Sequence, residues 1–182
     1  MAGGTGDLTA GMAAQVGPSG LVVLTDINAA MLAEGRDRLL DDGLVSNTRV
    51  AQANAECLPF KDGSFDCVTI GFGLRNVTDK PAALRSMRRV LKPGGQLIVL
   101  EFSQVVNPTF RAIYDAYSFT AIPAIGKVVT GDGAPYRYLV ESIRKFPDAP
   151  TFRDMIEDAG FARASFTRLT GGVVAIHSGW KY

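Results

Sequence analysis

What most constrains this chain is an alternation. Short β-branched runs at 21–25, 48–52, 65–70 and 96–102 are interleaved with stretches whose apolar residues recur at helical spacing. Asn28 is the expected N-cap of the first such helix. Met31, Leu32, Leu39 and Leu40 form its inner stripe, and Gly43 stops it. Thr78 or Asp79 caps the second helix, Pro81 sits in its first turn, and Leu84, Met87, Val90 and Leu91 face inward. Lys92-Pro93-Gly94-Gly95 should end that helix and turn the chain into the next strand. A further helix is expected over 151–159, stopped by Gly160. Strand–helix alternation means a mostly parallel sheet with right-handed crossovers. The last two strands, 161–167 and 173–180, are joined too briefly to be parallel, so they should form an antiparallel hairpin at one edge.

Length and charge narrow the rest. At 182 residues the chain suits one α/β domain with a sizeable core. Residues 107–147 are less regular and rich in aromatics, Pro and Gly, and read as a substrate-side insertion. With 19 Lys+Arg against 18 Asp+Glu, the formal charge of +1 argues against a nucleic-acid binder. Two cysteines, Cys57 and Cys67, cannot build a disulfide framework and are expected to be buried thiols of a reducing compartment. No run approaches the ~20 apolar residues of a membrane span, and no leader peptide is expected at the N-terminus. No His/Cys/acid cluster suggests a metal. His177, the one histidine, lies on a closing strand and reads as structural.

In an open α/β sheet, ligands bind beyond the carboxyl ends of the strands. Four loops are chemically marked. Gly3-Gly4-Thr5-Gly6-Asp7 lets backbone approach a ligand and opens a helix N-terminus. Asp26 ends a strand twenty residues after Gly6 and can accept both hydroxyls of a ribose. Asn54-Ala55-Glu56 offers an amide to an adenine edge. Gly71-Phe72-Gly73-Leu74-Arg75-Asn76 makes a thin wall with a cation and an amide at its rim. A dinucleotide fits poorly. The run Gly4-Thr5-Gly6-Asp7-Leu8-Thr9 has Thr at the third small position and an acid where a pyrophosphate would lie. S-adenosylmethionine has an adenosine and a sulfonium but no phosphate, and suits these residues better.

Together with Gln52-Ala53-Asn54-Ala55-Glu56-Cys57-Leu58-Pro59-Phe60, Arg89-Val90-Leu91-Lys92-Pro93-Gly94-Gly95, Leu100-Glu101-Phe102-Ser103 and Tyr138-Leu139-Val140-Glu141-Ser142-Ile143, these segments resemble the ubiquinone/menaquinone biosynthesis C-methyltransferases. The likeness covers essentially the whole chain. It implies a Rossmann-like S-adenosylmethionine-dependent methyltransferase fold, with Gly4, Thr5, Gly6, Asp26, Asn54 and Ala55 at the cofactor. Gly71 stands where the family often has a serine, so a side-chain contact there is lost or replaced by backbone. The family also has an N-terminal helical region and a first strand before the glycine loop. Neither is in this sequence, so the sheet is expected to lack its central strand.

The resemblance implies a polyprenylated hydroquinol substrate, methylated on a ring carbon. Ionising a ring hydroxyl makes the adjacent carbon nucleophilic, and the protein must align donor and acceptor and stabilise the phenolate. Arg75, Asn76 and Asp115 are the catalytic candidates, with Tyr114 and Tyr117 as further polar groups. Arg75 is too basic to be the base and would stabilise the phenolate or polarise a water. Residues 110–129 form either a tunnel for the prenyl tail or ordinary packing. The implied setting is the cytoplasm, peripheral to the inner membrane (the mitochondrial matrix side in a eukaryote), as a homodimer or in a quinone-biosynthesis complex. Two other readings stand beside this one: an RNA or protein methyltransferase, and a truncated, non-catalytic methyltransferase-like fragment.

Overall fold

The computed structural model of the chain describes residues 1–105 and 134–182. A glycine loop leads into α1 (Asp7–Val16), followed by β1 (Val22–Asp26), α2 (Ala29–Asp41) and β2 (Thr48–Gln52). Next come β3 (Phe65–Gly71), α3 (Lys80–Val90) and β4 (Leu91–Phe102). The described chain ends with α4 (Ala134–Lys145), α5 (Ala149–Asp158), β5 (Ala162–Leu169) and β6 (Val174–Trp180). This is an α/β architecture, and its helix starts are set by side chains. Asn28, Asp79 and Asp148 each accept backbone N–H bonds as N-caps of α2, α3 and α5.

Among the described residues the strands form two sheets. In one, β1 pairs with β2 in parallel, Asp26 opposite Gln52. In the other the order is β3-β4-β6-β5, with β3 and β4 parallel and β6 antiparallel to both neighbours. The closing hairpin therefore occupies one edge. At the opposite edge β1 and β3 pair only outward. The segment Met1–Gly3 lies across their seam: the Met1 amine donates to Thr69 O at 2.8 Å, and Gly3 N–H to Thr25 O at 2.9 Å.

Each sheet has its own apolar cluster. The larger is built by Leu84 and Met87 of α3, Leu97 and Val99 of β4, and Phe152 and Ile156 of α5, all fully buried. Each such side chain contributes roughly 1.5–3 kcal/mol. The smaller holds Leu24, Leu32 and Leu39. His177 joins the larger one. It is 1% exposed, stands edge-on to Phe152 at 4.8 Å, and its Nε2 donates to Ala149 O at 3.2 Å.

Four expectations are corrected. Lys92-Pro93-Gly94-Gly95 does not separate helix from strand. It is carried inside β4 as an irregularity, with Leu91 opposite Phe65 and Gln96 opposite Cys67. In α2 the inward positions are Leu32, Gly35 and Leu39, while Met31 and Leu40 are exposed. Gly35 takes the inward place because the glycine loop lies on it: a Cβ there would stand 2.8 Å from Gly4 O. Cys57 is exposed and Cys67 half-buried, against the expectation of buried thiols. Finally, α4 makes the end of the irregular 107–147 stretch a regular helix.

Candidate functional site

A cavity of about 410 Å³ opens where the carboxyl ends of β1, β2 and β3 meet. Asp26, Ile27 and Met31 line it from one side, Asn54, Ala55 and Glu56 from beyond β2, and Phe72, Gly73 and Asn76 from beyond β3. It straddles the seam between the two sheets. A second, open hollow of about 390 Å³ lies between Glu56–Leu58 and α3 and touches neither Asp26 nor Asn76. Its Arg89 is committed to Leu58 O, Phe60 O and Asp62.

Asp26 is held by the loop it faces. Its Oδ2 accepts from Gly4 N–H and its Oδ1 from Asn28 N–H, each at 3.0 Å. Each carboxylate oxygen keeps a lone pair for a further donor. Gly4 lines the cavity in a left-handed conformation, φ 50°. Thr5 and Gly6 do not line it. The Thr5 hydroxyl donates to Asp7 Oδ2 at 3.0 Å, and Gly6, at φ 87°, caps α1. Asn54 faces the cavity, but its Oδ1 is taken by Glu56 N–H at 3.0 Å, leaving the amide nitrogen for a ligand. Burial pushes the Met1 amine down to about 6, against the pull of Asp26.

Beyond β3 the chain makes a strained turn. Phe72 is held at φ 52°, a conformation that costs a non-glycine residue about 1–3 kcal/mol and collects at ligand sites. Its ring tilts against Phe102 at 4.8 Å. Gly71 ends β3 without lining the cavity, and a Cβ there would meet open space. The one-turn helix Leu74–Asn76 follows. Asn76 reaches the cavity; Arg75, beside it, does not line it. The Arg75 guanidinium turns back to Glu101, with Nη1 3.1 Å from Oε1, and also bonds Phe72 O and lies over the Phe102 ring. Glu101 Oε2 accepts from Arg75 N–H at 3.1 Å and Oε1 from Phe102 N–H at 2.9 Å. The Glu101 side chain is fully buried and that of Arg75 is 12% exposed. Among the described residues, Arg75 Nε is buried without a partner.

Asp115, Tyr114, Tyr117 and the apolar residues of 110–129 lie outside the described residues. The structure adds residues that sequence reasoning had not placed in the site. Ile27 and Met31 are exposed hydrophobics at the cavity wall. Their signal was position, directly after the strand-end acid and one turn into its helix. Glu101 shares the inward parity of Leu97 and Val99 along β4. A carboxylate at such a position must find a cation or several donors. Tyr138 of α4 bonds the Asn76 side chain at 3.1 Å, a long-range contact that no local pattern announces.

The architecture recurs in solved methyltransferases of low sequence identity. The structure of an S-adenosylmethionine-dependent methyltransferase from Aquifex aeolicus aligns over 100% of this chain and 79% of its own, with TM-score 0.72 and 17% identity. A possible histamine N-methyltransferase from Thermotoga maritima aligns over 100% and 80%, with TM-score 0.68 and 19% identity. In sequence, the chain is 59% identical over all 182 residues to the ubiquinone/menaquinone biosynthesis C-methyltransferase UbiE of Legionella pneumophila strain Paris, spanning 73% of that protein. It is also 59% identical to the UbiE of Proteus mirabilis, spanning 72% of it. The profile of the ubiE/COQ5 methyltransferase family matches residues 1–181. With that match running through the glycine loop, the Asp26 strand end and the Leu74–Asn76 turn, the chain belongs to the ubiE/COQ5 methyltransferase family.

Proposed function

We propose that this chain is an S-adenosylmethionine-dependent C-methyltransferase acting on a ring carbon of a polyprenylated benzoquinol or naphthoquinol in ubiquinone or menaquinone biosynthesis. The observation that carries the reading is a single cavity with Asp26 at one end and Asn76 at the other. Its residues fit the methyl donor. Asp26 keeps lone pairs for a ribose diol, the Asn54 amide nitrogen has no partner among the described residues and can meet an adenine edge, and Ile27 and Met31 offer apolar cover. No phosphate is required, which suits a loop that carries Asp7.

When bound, the methyl donor supplies an electrophilic methyl group on a sulfonium. The chain's own residues do the rest. Asp26 and the Gly4 loop hold the adenosine end, while Asn76 meets the acceptor ring from the β3 side. Arg75 stands behind Asn76 as the positive end of its ion pair with Glu101, and the oriented pair lowers the energy of the ionised ring hydroxyl. Asp115 is assigned the hydroxyl proton. With the methyl group delivered to the carbon beside the phenolate, the proton which that carbon sheds would leave to solvent, and Asp115 would return the hydroxyl proton to the ring oxygen. A prenylated acceptor implies work at a membrane surface, and we place the protein in the cytoplasm, peripheral to the inner membrane. Among the described residues no helix is long and apolar enough to cross a membrane.

Calorimetry with S-adenosylmethionine, then methyl transfer to a short-tailed demethyl-hydroquinol followed by mass spectrometry, tests the reading. Saturable binding and a product heavier by one methylene are expected. Absence of cofactor binding overturns it, and so does binding without any methylated quinol.

A further inference from the structure

The Asn76 backbone has almost no freedom. Arg75 N–H is fixed on the buried Glu101 carboxylate at 3.1 Å, and Asn76 N–H and Val77 N–H close the turn on Gly73 O and Leu74 O, each at 3.1 Å. Leu74, just before, is fully buried. What remains free is the side-chain amide, whose terminal torsion is broad and roughly two-fold. Its two ends are chemical opposites: Oδ1 accepts and Nδ2 donates. Turned one way it offers a ring oxyanion an N–H; turned the other way it offers a lone pair.

Tyr138 biases the choice, because a phenol hydroxyl donates more strongly than it accepts and so favours Oδ1 facing it. It stands on α4, which packs on the Leu74–Asn76 turn, and its hydroxyl donates to Asn76 Oδ1 at 3.1 Å. Asn76 lines the cavity, and its Nδ2 has no partner among the described residues. We propose that Tyr138 is a positioning residue: it locks the Asn76 amide with Nδ2 toward the acceptor, so that the ionised hydroxyl of a hydroquinol ring meets a donor. The inference rests on the hydroquinol reading of the cavity. It also divides labour within the turn. Asn76 makes the contact, Arg75 and Glu101 fix the backbone, and Tyr138 sets the polarity of the amide.

The test uses the 182-residue chain and Tyr138→Phe. Losing one neutral hydrogen bond should lower kcat toward a short-tailed demethyl-hydroquinol by about 3- to 10-fold. The S-adenosylmethionine Kd and Tm should stay unchanged, since Tyr138 is 60% exposed and outside the cavity lining. In an Asn76→Ala background Tyr138→Phe should have no further effect, because the two act as one unit. An equal kcat, or a loss that persists in the Asn76→Ala background, overturns the proposal. A second readout needs no turnover. In ¹⁵N spectra the Asn76 side-chain amide pair should be sharp and shift on adding the quinol, and should broaden in Tyr138→Phe even without it. An amide pair identical in both proteins also overturns the proposal. Failure of the unaltered chain to methylate any quinol counts instead against the hydroquinol reading, because the amide spectra of the free protein still report on Tyr138.

Discussion

Asp26 does two things with one carboxylate: it pins the glycine loop through Gly4 N–H and faces the cavity with what remains. Asp26→Ala should therefore weaken S-adenosylmethionine binding by on the order of 1.5–3 kcal/mol, as for loss of a charged hydrogen-bond partner. Asp26→Asn should fall between, because one oxygen still accepts while the new amide N–H opposes either Gly4 N–H or Asn28 N–H. Titration calorimetry reads both, and an unchanged Kd in Asp26→Ala rejects the assignment. His177 is a residue-scale prediction of another kind. Burial, with a smaller push from Arg168 and despite its bond to Ala149 O, lowers its pKa from 6.5 to about 4. The folded protein holds the ring neutral, while the unfolded chain protonates it near 6.5. Its contribution is intact above pH 6.5, declines as pH falls from there and is lost near pH 4, up to about 3 kcal/mol in all. Denaturant melts of the unaltered chain and His177→Phe across that window should converge on acidification. Parallel curves would contradict it.

At the scale of elements, the Leu74–Asn76 turn is bolted to β4 by one buried ion pair. Removing one partner strands the other, so Arg75→Ala should destabilise the fold by about 3–5 kcal/mol as well as slow catalysis. Arg75→Met with Glu101→Leu should recover much of that stability but not the rate, which separates the brace from the chemistry. A double variant as unstable as Arg75→Ala would show that the pair is not what holds the turn. Most elements were readable in the sequence, because the information was local. Asn28 and Asp79 precede helical stripes, and β-branched runs stop at Asp26 and Gly71, whereas α5 starts at Ala149 behind Asp148, ahead of the expected Thr151. What escaped depends on distant partners. Helical spacing puts Met31 inside and says nothing of Gly35, whose place is set by Gly4 O lying against it. The Lys92–Gly95 turn chemistry is overridden by pairing: Gly94 N–H bonds Lys181 O, and Lys181 N–H bonds Gly95 O. Arg75 is legible as a cation at the rim, but its turn toward Glu101 is not, since those residues are 26 apart. The strand-end acid Asp26 and the glycine loop, by contrast, could be paired from spacing alone.

For the whole molecule the seam between the sheets matters most. The β1–β2 sheet rests on the small Leu24, Leu32, Leu39 cluster, while the four-stranded sheet carries the larger core. Local stability follows the buried contacts beneath it. Amides of β1 and β2 should thus exchange roughly tenfold or more faster than those of β4 and β6 in the free protein. Hydrogen exchange with mass readout checks this, and uniform protection would deny the seam any independence. The cavity crosses that seam, with Asp26 on one side and Asn76 on the other, so a ligand bound across it should act as a rivet between two half-sheets. Ligand at a hundred times its Kd adds about 2.7 kcal/mol to the state that binds it. Proteases act on the opened form, and the chain without its methyl donor should open first at β1–β2. Limited proteolysis should then cut there, and stop cutting once S-adenosylmethionine is added.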